Sequence, residues 1–392
     1  MRILKVVQAY YPFQEKGGPV VKVRALARGL AQRGHPVTVL TADLGLRHFR
    51  DAGGNFEACK WGWRSEQDGV EVIYLSTLCR YRAVTLNPHI IGFCRESLNR
   101  FDVAQIYGLY DWLGPTVGFF CRRRGVPYVV EPMGMFRPIV RSLALKRLYH
   151  GVFGNSLIAG ARFLIATSEQ ERQEMIGGGV ATTRIVVRRN GIDSPEKLPN
   201  RGEFRRQWNI PENARVVLFL GRVVSKKSPD LLIDAFSRWH AKSGNENSVL
   251  VIAGPAEGDG FLPRLKMMAQ QLNLSQSVRF VGPLYEAAKW QAYRDADVFV
   301  LPSQNENFGN TAAEAAACAT PVIVTDQCGV APFVGRAGLV VRHDPRAIEL
   351  ALAQLLEDSA TRRRCQDGCA EMARSLSWDA PLLENEQLLE RC

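Results

Sequence analysis

Residues 301–315 read Leu-Pro-Ser-Gln-Asn-Glu-Asn-Phe-Gly-Asn-Thr-Ala-Ala-Glu-Ala. An apolar strand ends in a polar loop, and a helix of small residues opens near Asn310. The first N–H groups of a helix lack carbonyl partners and lie at the positive end of its dipole, which favours an anion. Glu306 in the loop and Glu314 a turn into the helix can face one ligand from different depths. One suits a sugar and the other a ribose hydroxyl, although a buried salt bridge would also account for Glu314. Gly309 is expected to let a phosphate approach the backbone. A second strand, Val216 to Leu220, runs into Gly221-Arg222-Val223-Val224-Ser225-Lys226-Lys227-Ser228. This imitates a phosphate loop, but Lys226 stands where the second glycine must be, which argues against a nucleoside triphosphatase. Arg222 and Lys227 remain as two cations at a strand's carboxyl end, able to neutralise a diphosphate. Two solvated surface charges would look the same.

Other chemistries lack their residues. No G-x-G-x-x-G follows a strand, so a nicotinamide cofactor loses its main support. Asp295-Ala296-Asp297 has a D-x-D spacing that can hold a divalent metal. It falls at a helix end directly before the strand Val298 to Leu301, so a structural role is the favoured reading and no metal is expected. The nine cysteines are scattered, and Cys365 with Cys369 completes no zinc site. Reduced thiols are expected.

The elements that must carry these residues follow from periodicity. Short apolar runs at Ile3–Val7, Val37–Thr41, Val70–Leu75, Val103–Ile106, Tyr128–Val130 and Phe163–Ala166 alternate with helical patterns such as Val20–Leu30, Trp112–Arg124 and Ile139–Val152. That alternation predicts a parallel sheet covered on both faces. Turn formers at Asn190–Asn200 read as a linker, after which strands and helices alternate again. The 392 residues are therefore read as two α/β domains, 1–195 and 196–376, with the helix 377–392 packing back on the first. Ligands of such sheets bind beyond the carboxyl ends of the strands, here in a cleft between two domains. The charge is one-sided. Residues 1–195 hold 27 Lys/Arg against 15 Asp/Glu, a net +12, and residues 196–392 hold 23 against 24. Such a field attracts anionic partners. No run is long enough to span a bilayer and the N-terminus lacks a signal-peptide pattern, so a cytoplasmic protein is expected.

With these residues in place, the sequence resembles a retaining glycosyltransferase of family 4 with the GT-B fold, two Rossmann-like doubly wound parallel-sheet domains facing a central cleft. The E-x7-E block and Gly221-Arg222 with Lys227 are its strongest pieces. Gly17-Gly18, Arg33-Gly34-His35, Ser168-Glu169, Asn190-Gly191-Ile192-Asp193 and Ile252-Ala253-Gly254-Pro255 support it. The resemblance implies that Arg222 and Lys227 bind the donor diphosphate, that Glu306 meets the transferred sugar and that Glu314 holds the ribose. It implies backbone contacts from Phe308, Gly309 and Asn310, a base near Leu284, and a close approach of Gly18 to the phosphates. It also implies transfer without metal or other cofactor, the leaving diphosphate helping to deprotonate the acceptor. Met133 stands where many relatives carry a sugar-contacting His, and Gln105 and Tyr107 likewise replace His. Methionine donates no hydrogen bond.

The resulting expectation is a sugar transferase using a nucleoside-diphosphate sugar and a glycan or lipid-linked glycan acceptor, acting in surface polysaccharide synthesis. Residues 137–152 interleave Arg137, Arg141, Lys146 and Arg147 with apolar side chains, which suits peripheral contact with an anionic membrane at its inner face or packing on its own domain. A nucleotide-sugar epimerase, a sugar-phosphate synthase and a catalytically impaired binding subunit are the alternatives. No nucleic-acid-binding motif accompanies the charge.

Overall fold

A computed structural model describes residues 1–13, 18–44, 56–81, 84–136, 150–195, 197–243, 247–256 and 260–392. The chain forms two compact units, Met1–Asn190 with Trp378–Cys392, and Gly191–Ser377. Turn formers alone put the boundary at 195/196, and the contacts divide it at Asn190/Gly191.

The first unit is built on strands β1 (Ile3–Val6), β2 (Val37–Ala42), β3 (Glu57–Cys59), β4 (Gly62–Gln67), β5 (Val70–Leu75), β8 (Val103–Tyr107), β9 (Tyr128–Glu131), β10 (Phe163–Ala166) and β11 (Ile185–Val187). A separate hairpin joins β6 (Cys79–Tyr81) to β7 (Val84–Leu86). The sheet order is β11-β10-β9-β8-β1-β2-β5-β4-β3. All pairings from β11 to β5 are parallel, and β4 and β3 add an antiparallel edge. Sequence reading missed that edge because its residues alternate with polar side chains, as an edge strand's do. The parallel strands other than the edge strand β11 are buried along nearly their whole length, as strands covered on both faces are. The connection after β1 reaches the helix Gly18–Gln32, and that after β8 reaches the helix Leu113–Arg124, which ends at Gly125 with φ 70°. The strand order reverses between β1 and β8, so these two connections flank the point where such sheets take ligands.

The second unit has strands β12 (Arg215–Leu220), β13 (Ser248–Ala253), β14 (Val278–Gly282), β15 (Val298–Leu301), β16 (Val322–Thr325) and β17 (Gly338–Val341). They pair in the order β14-β13-β12-β15-β16-β17, all parallel. Counted within the unit this is 3-2-1-4-5-6, the doubly wound nucleotide-binding order, with its switch point between β12 and β15. Strand β12 explains the layering residue by residue. Val216, Leu218 and Leu220 face one apolar cluster, and Val217 and Phe219 face the other. Local signals end the helices cleanly. Asp344 accepts the Ala347 N–H at 2.9 Å to start Pro345–Glu357, and Asp358 accepts those of Ala360 and Thr361 to start Ser359–Ser375.

The expected helix Ile139–Val152 lies, over residues 139–149, outside the described residues, as does Gly17. Among the described residues no helix is long and apolar enough to cross a membrane.

Candidate functional site

In the second unit, the loops after β12 and β15 converge across the switch point. Ser225–Lys227 form one short 3-10 turn, closed by Ser228 at φ 50°, whose hydroxyl lies 3.0 Å from His343 Nε2. The Gln304 N–H donates to the Lys226 carbonyl at 3.1 Å, tying the two loops backbone to backbone. This brings Lys227 Nζ against the Glu306 carboxylate in an ion pair, each side chain only 16% exposed. Glu306 is itself fixed from below, since its N–H donates to Gln327 O at 3.0 Å and its carbonyl accepts the Gly329 N–H at 2.9 Å. Arg222 is exposed at the end of β12.

Glu314 belongs to the helix Asn310–Ala317 and is buried. Lys289 Nζ donates to one carboxylate oxygen at 3.0 Å and the Tyr293 hydroxyl to the other at 2.9 Å. The two glutamates of the E-x7-E block therefore have different partners, one from the loop after β12 and one from the helix Glu286–Asp295. Burial beside this carboxylate pushes the Tyr293 phenol far above its ordinary range, so it stays a donor.

Phe308 is buried with its ring 6.1 Å from that of Phe333, leaving its backbone as the part a ligand could use. Gly309 has φ 105°, and a Cβ there would come within 2.9 Å of Leu301 Cδ2 and 3.0 Å of Val330 Cγ1. Internal packing and backbone conformation thus call for glycine here. Asn310 and Leu284 are half-buried.

Glycines elsewhere bring the loops together, and only part of this was visible in sequence. A Cβ on Gly254, at φ 139°, would lie 1.7 Å from the Gly221 carbonyl, so the ends of β12 and β13 pass backbone against backbone. A Cβ on Gly329 would lie 2.1 Å from the Asn307 carbonyl. The clamp at Gln327–Gly329 and the partners Lys289 and Tyr293 carry no short-range motif and were missed, because their contacts come from distant turns of the chain.

Asp295 and Asp297 sit at the opposite, amino end of β15. Asp295 accepts the Gly202 N–H at 2.6 Å and the Arg205 N–H at 3.1 Å. Asp297 accepts from Val216 N at 2.8 Å and from Arg205 Nη2 at 3.1 Å. Both carboxylates are engaged in joining the helix Glu203–Gln207 to the sheet. Among the described residues no group of three His, Cys, Asp or Glu is placed to hold a metal ion.

In the first unit, Gly18 opens its helix with nothing within 4 Å of where a Cβ would stand. Gln105 and Tyr107, which sequence reading grouped with altered sugar contacts, are buried. Lys5 Nζ donates to Gln105 Oε1 at 2.7 Å and to the Tyr107 hydroxyl at 2.9 Å. Burial, with Arg188 nearby, drives the Lys5 ammonium well below its usual range. At the end of β9, Glu131 is wholly buried between Lys22 and Arg188. Burial alone would raise its pKa, but the two cations hold it below the usual carboxylate range. Met133 follows at φ 56°, and Gly134 donates its N–H to Glu171 at 2.6 Å. Met133 and Met135 place their methyl groups beside Gly108, as does the buried carboxylate of Asp111.

Residues 17–191 match the glycosyl transferase 4-like domain, and residues 200–371 match the glycosyl transferases group 1 family. The chain is 30% identical over 387 residues to a protein named D-inositol 3-phosphate glycosyltransferase of Corynebacterium jeikeium (strain K411), covering 93% of this chain and 90% of that one. It is 33% identical to a protein of the same name from Nocardioides sp. (strain ATCC BAA-499 / JS614), covering 80% and 74%. Among solved structures it resembles Anabaena HepE in complex with UDP and glucose, with TM-score 0.79, 18% identity and complete coverage of both chains. Sucrose-phosphate synthase from Thermosynechococcus elongatus gives TM-score 0.77 at 21% identity, covering 100% and 99%. At these identities the structural likeness establishes the fold.

Proposed function

As a member of the glycosyl transferases group 1 family with a glycosyl transferase 4-like first domain, the chain is a glycosyltransferase of the GT-B fold, and we propose that it moves a sugar from a nucleoside-diphosphate sugar to a glycan or lipid-linked glycan acceptor, with retention and without a metal. The observation that carries this reading is the pairing of Lys227 with Glu306 across the switch point of the second sheet. A cation for phosphate and a carboxylate for sugar stand side by side where a glycosyl phosphate bond would lie. Arg222 joins Lys227 at the diphosphate, Glu314 takes the ribose, Leu284 borders the base, and the backbone of Phe308, Gly309 and Asn310 meets the sugar or phosphate. Gly18 is assigned to donor binding as well. In the reaction the acceptor oxygen bonds to the anomeric carbon, the bond to the diphosphate oxygen breaks, and the acceptor proton passes to the departing diphosphate on the same face. Cations beside the leaving group stabilise charge that develops only in the transition state.

A second reading of the acceptor has its own support. The curated relatives are named for inositol 3-phosphate, and residues 1–195 carry a net +12. A phosphorylated cyclitol or sugar would suit that field without any lipid.

Nucleotide sugars are screened by thermal stabilisation, and the stabilising donor is then offered with lipid-linked glycans and with inositol 3-phosphate. Transfer should persist in a metal chelator. Glu306→Gln should lower kcat on the order of 100-fold with a smaller change in KM. Complete loss in chelator, restored by manganese, refutes metal independence, and near-normal turnover of Glu306→Gln refutes its role at the sugar.

A further inference from the structure

We propose that Glu306 is a built-in competitor for the diphosphate at Lys227, so that the site favours a sugar-bearing donor over a bare diphosphate; this rests on reading Gly191–Ser377 as the donor-binding unit.

Lys227 has an anionic partner within the chain already. Both side chains are mostly shielded from water, so the pair is less screened than an exposed one. Both backbones are held by other loops, Lys227 through its turn and the Lys226–Gln304 bond, Glu306 through Gln327 and Gly329. Partner exchange is therefore a matter of side-chain rotation. The other glutamate of the block offers a contrast. Glu314 is occupied by Lys289 and Tyr293 and leaves Lys227 alone.

A diphosphate reaching Lys227 places two anions on one ammonium. Glu306 must turn away, and a carboxylate displaced from its cation inside a partly buried site is destabilised unless something donates to it. A sugar supplies hydroxyl donors, whereas a bare diphosphate supplies none. The donor's sugar thus relieves the penalty that its phosphates create. Once the sugar has been transferred the relief is gone, and Glu306 returning to Lys227 helps expel the product.

The test is calorimetric titration of inorganic pyrophosphate and of UDP into the intact wild-type chain, Glu306→Gln, Glu306→Ala, Lys227→Met and the Glu306→Gln/Lys227→Met double variant. Melting temperatures check that each is folded. Removing the carboxylate should tighten pyrophosphate binding roughly 3- to 10-fold, alike for Gln and Ala. Lys227→Met should weaken binding by a larger factor in the Glu306→Gln background than in wild type. Equal or weaker pyrophosphate binding by the Glu306 variants, no binding by any variant, or an identical effect of Lys227→Met in both backgrounds overturns the proposal. Tighter pyrophosphate binding by the Glu306 variants, together with a wild-type chain that transfers no sugar from any donor offered, would instead overturn the transferase reading and leave the ion-pair exchange standing.

Discussion

At the scale of single residues, the carboxylates in this chain are told apart by what surrounds them. Asp111 is buried just before the helix Leu113–Arg124, and its Oδ1 accepts the Gly114 N–H at 2.7 Å. Burial pushes its pKa up to about 6, against the backbone N–H groups that pull it down. The folded chain then keeps this proton to higher pH than the unfolded chain does. The associated stability is complete below about pH 4 and is lost as pH rises through 6, a change of about 3 kcal/mol. Urea unfolding between pH 4 and 7 should show wild type losing stability with rising pH on this account, and Asp111→Asn lacking that component. Equal slopes for both proteins would remove Asp111 as its source. The placement of Glu306 and Lys227 was legible from sequence because each follows an apolar run that ends at a strand's carboxyl edge. Their contact with one another was not, since it depends on β12 and β15 being neighbours despite the strands between them in the chain.

At the scale of elements, glycine positions separate folding from function. Gly254→Ala forces a Cβ into the Gly221 carbonyl at a φ of 139°, and should destabilise the second unit by about 3 kcal/mol or more. Gly18→Ala meets nothing within 4 Å, and its stability should stay within about 0.5 kcal/mol of wild type. Thermal melts decide both, and a collapsed Gly18→Ala would show that the glycine serves the fold. A stable Gly18→Ala that transfers poorly would point to a close ligand there. The buried parallel strands announced themselves as apolar runs. Strands β3, β4 and β7 did not, because few of their residues are buried, and the hairpin strand β6 is only three residues long. Strand β17 was missed because none of its four residues is fully buried, at an edge where Val340 is 46% exposed. Gly309 stood out in sequence, but the approach of Leu301 and Val330 to it arises only in the folded chain.

At the scale of the whole molecule, the charge split between the two halves motivates a membrane test. If the basic half meets an anionic membrane or a lipid-linked acceptor, vesicle co-sedimentation should rise with anionic lipid and fall with salt. It should fall again when Arg141, Lys146 and Arg147 become Ser, each cation contributing about 1 kcal/mol. Indifference to anionic vesicles at low salt would favour a soluble phosphorylated acceptor. The closing helix Asp379–Glu390 is part of the first unit, where Asn385 pairs with Gln105 at 3.0 Å and Glu386 meets Arg33 and His35. Its Leu388 and Leu389 complete that unit's apolar core. On a ribosome, then, the second unit emerges as one uninterrupted stretch and can settle as soon as Ser377 clears the exit. The first must wait, with Gln105 and the seat of two leucines uncovered, until a helix made after the entire second unit arrives. A fragment spanning 191–377 should melt cooperatively, whereas one spanning 1–190 should bind a hydrophobic dye and aggregate until the missing helix is supplied as a peptide.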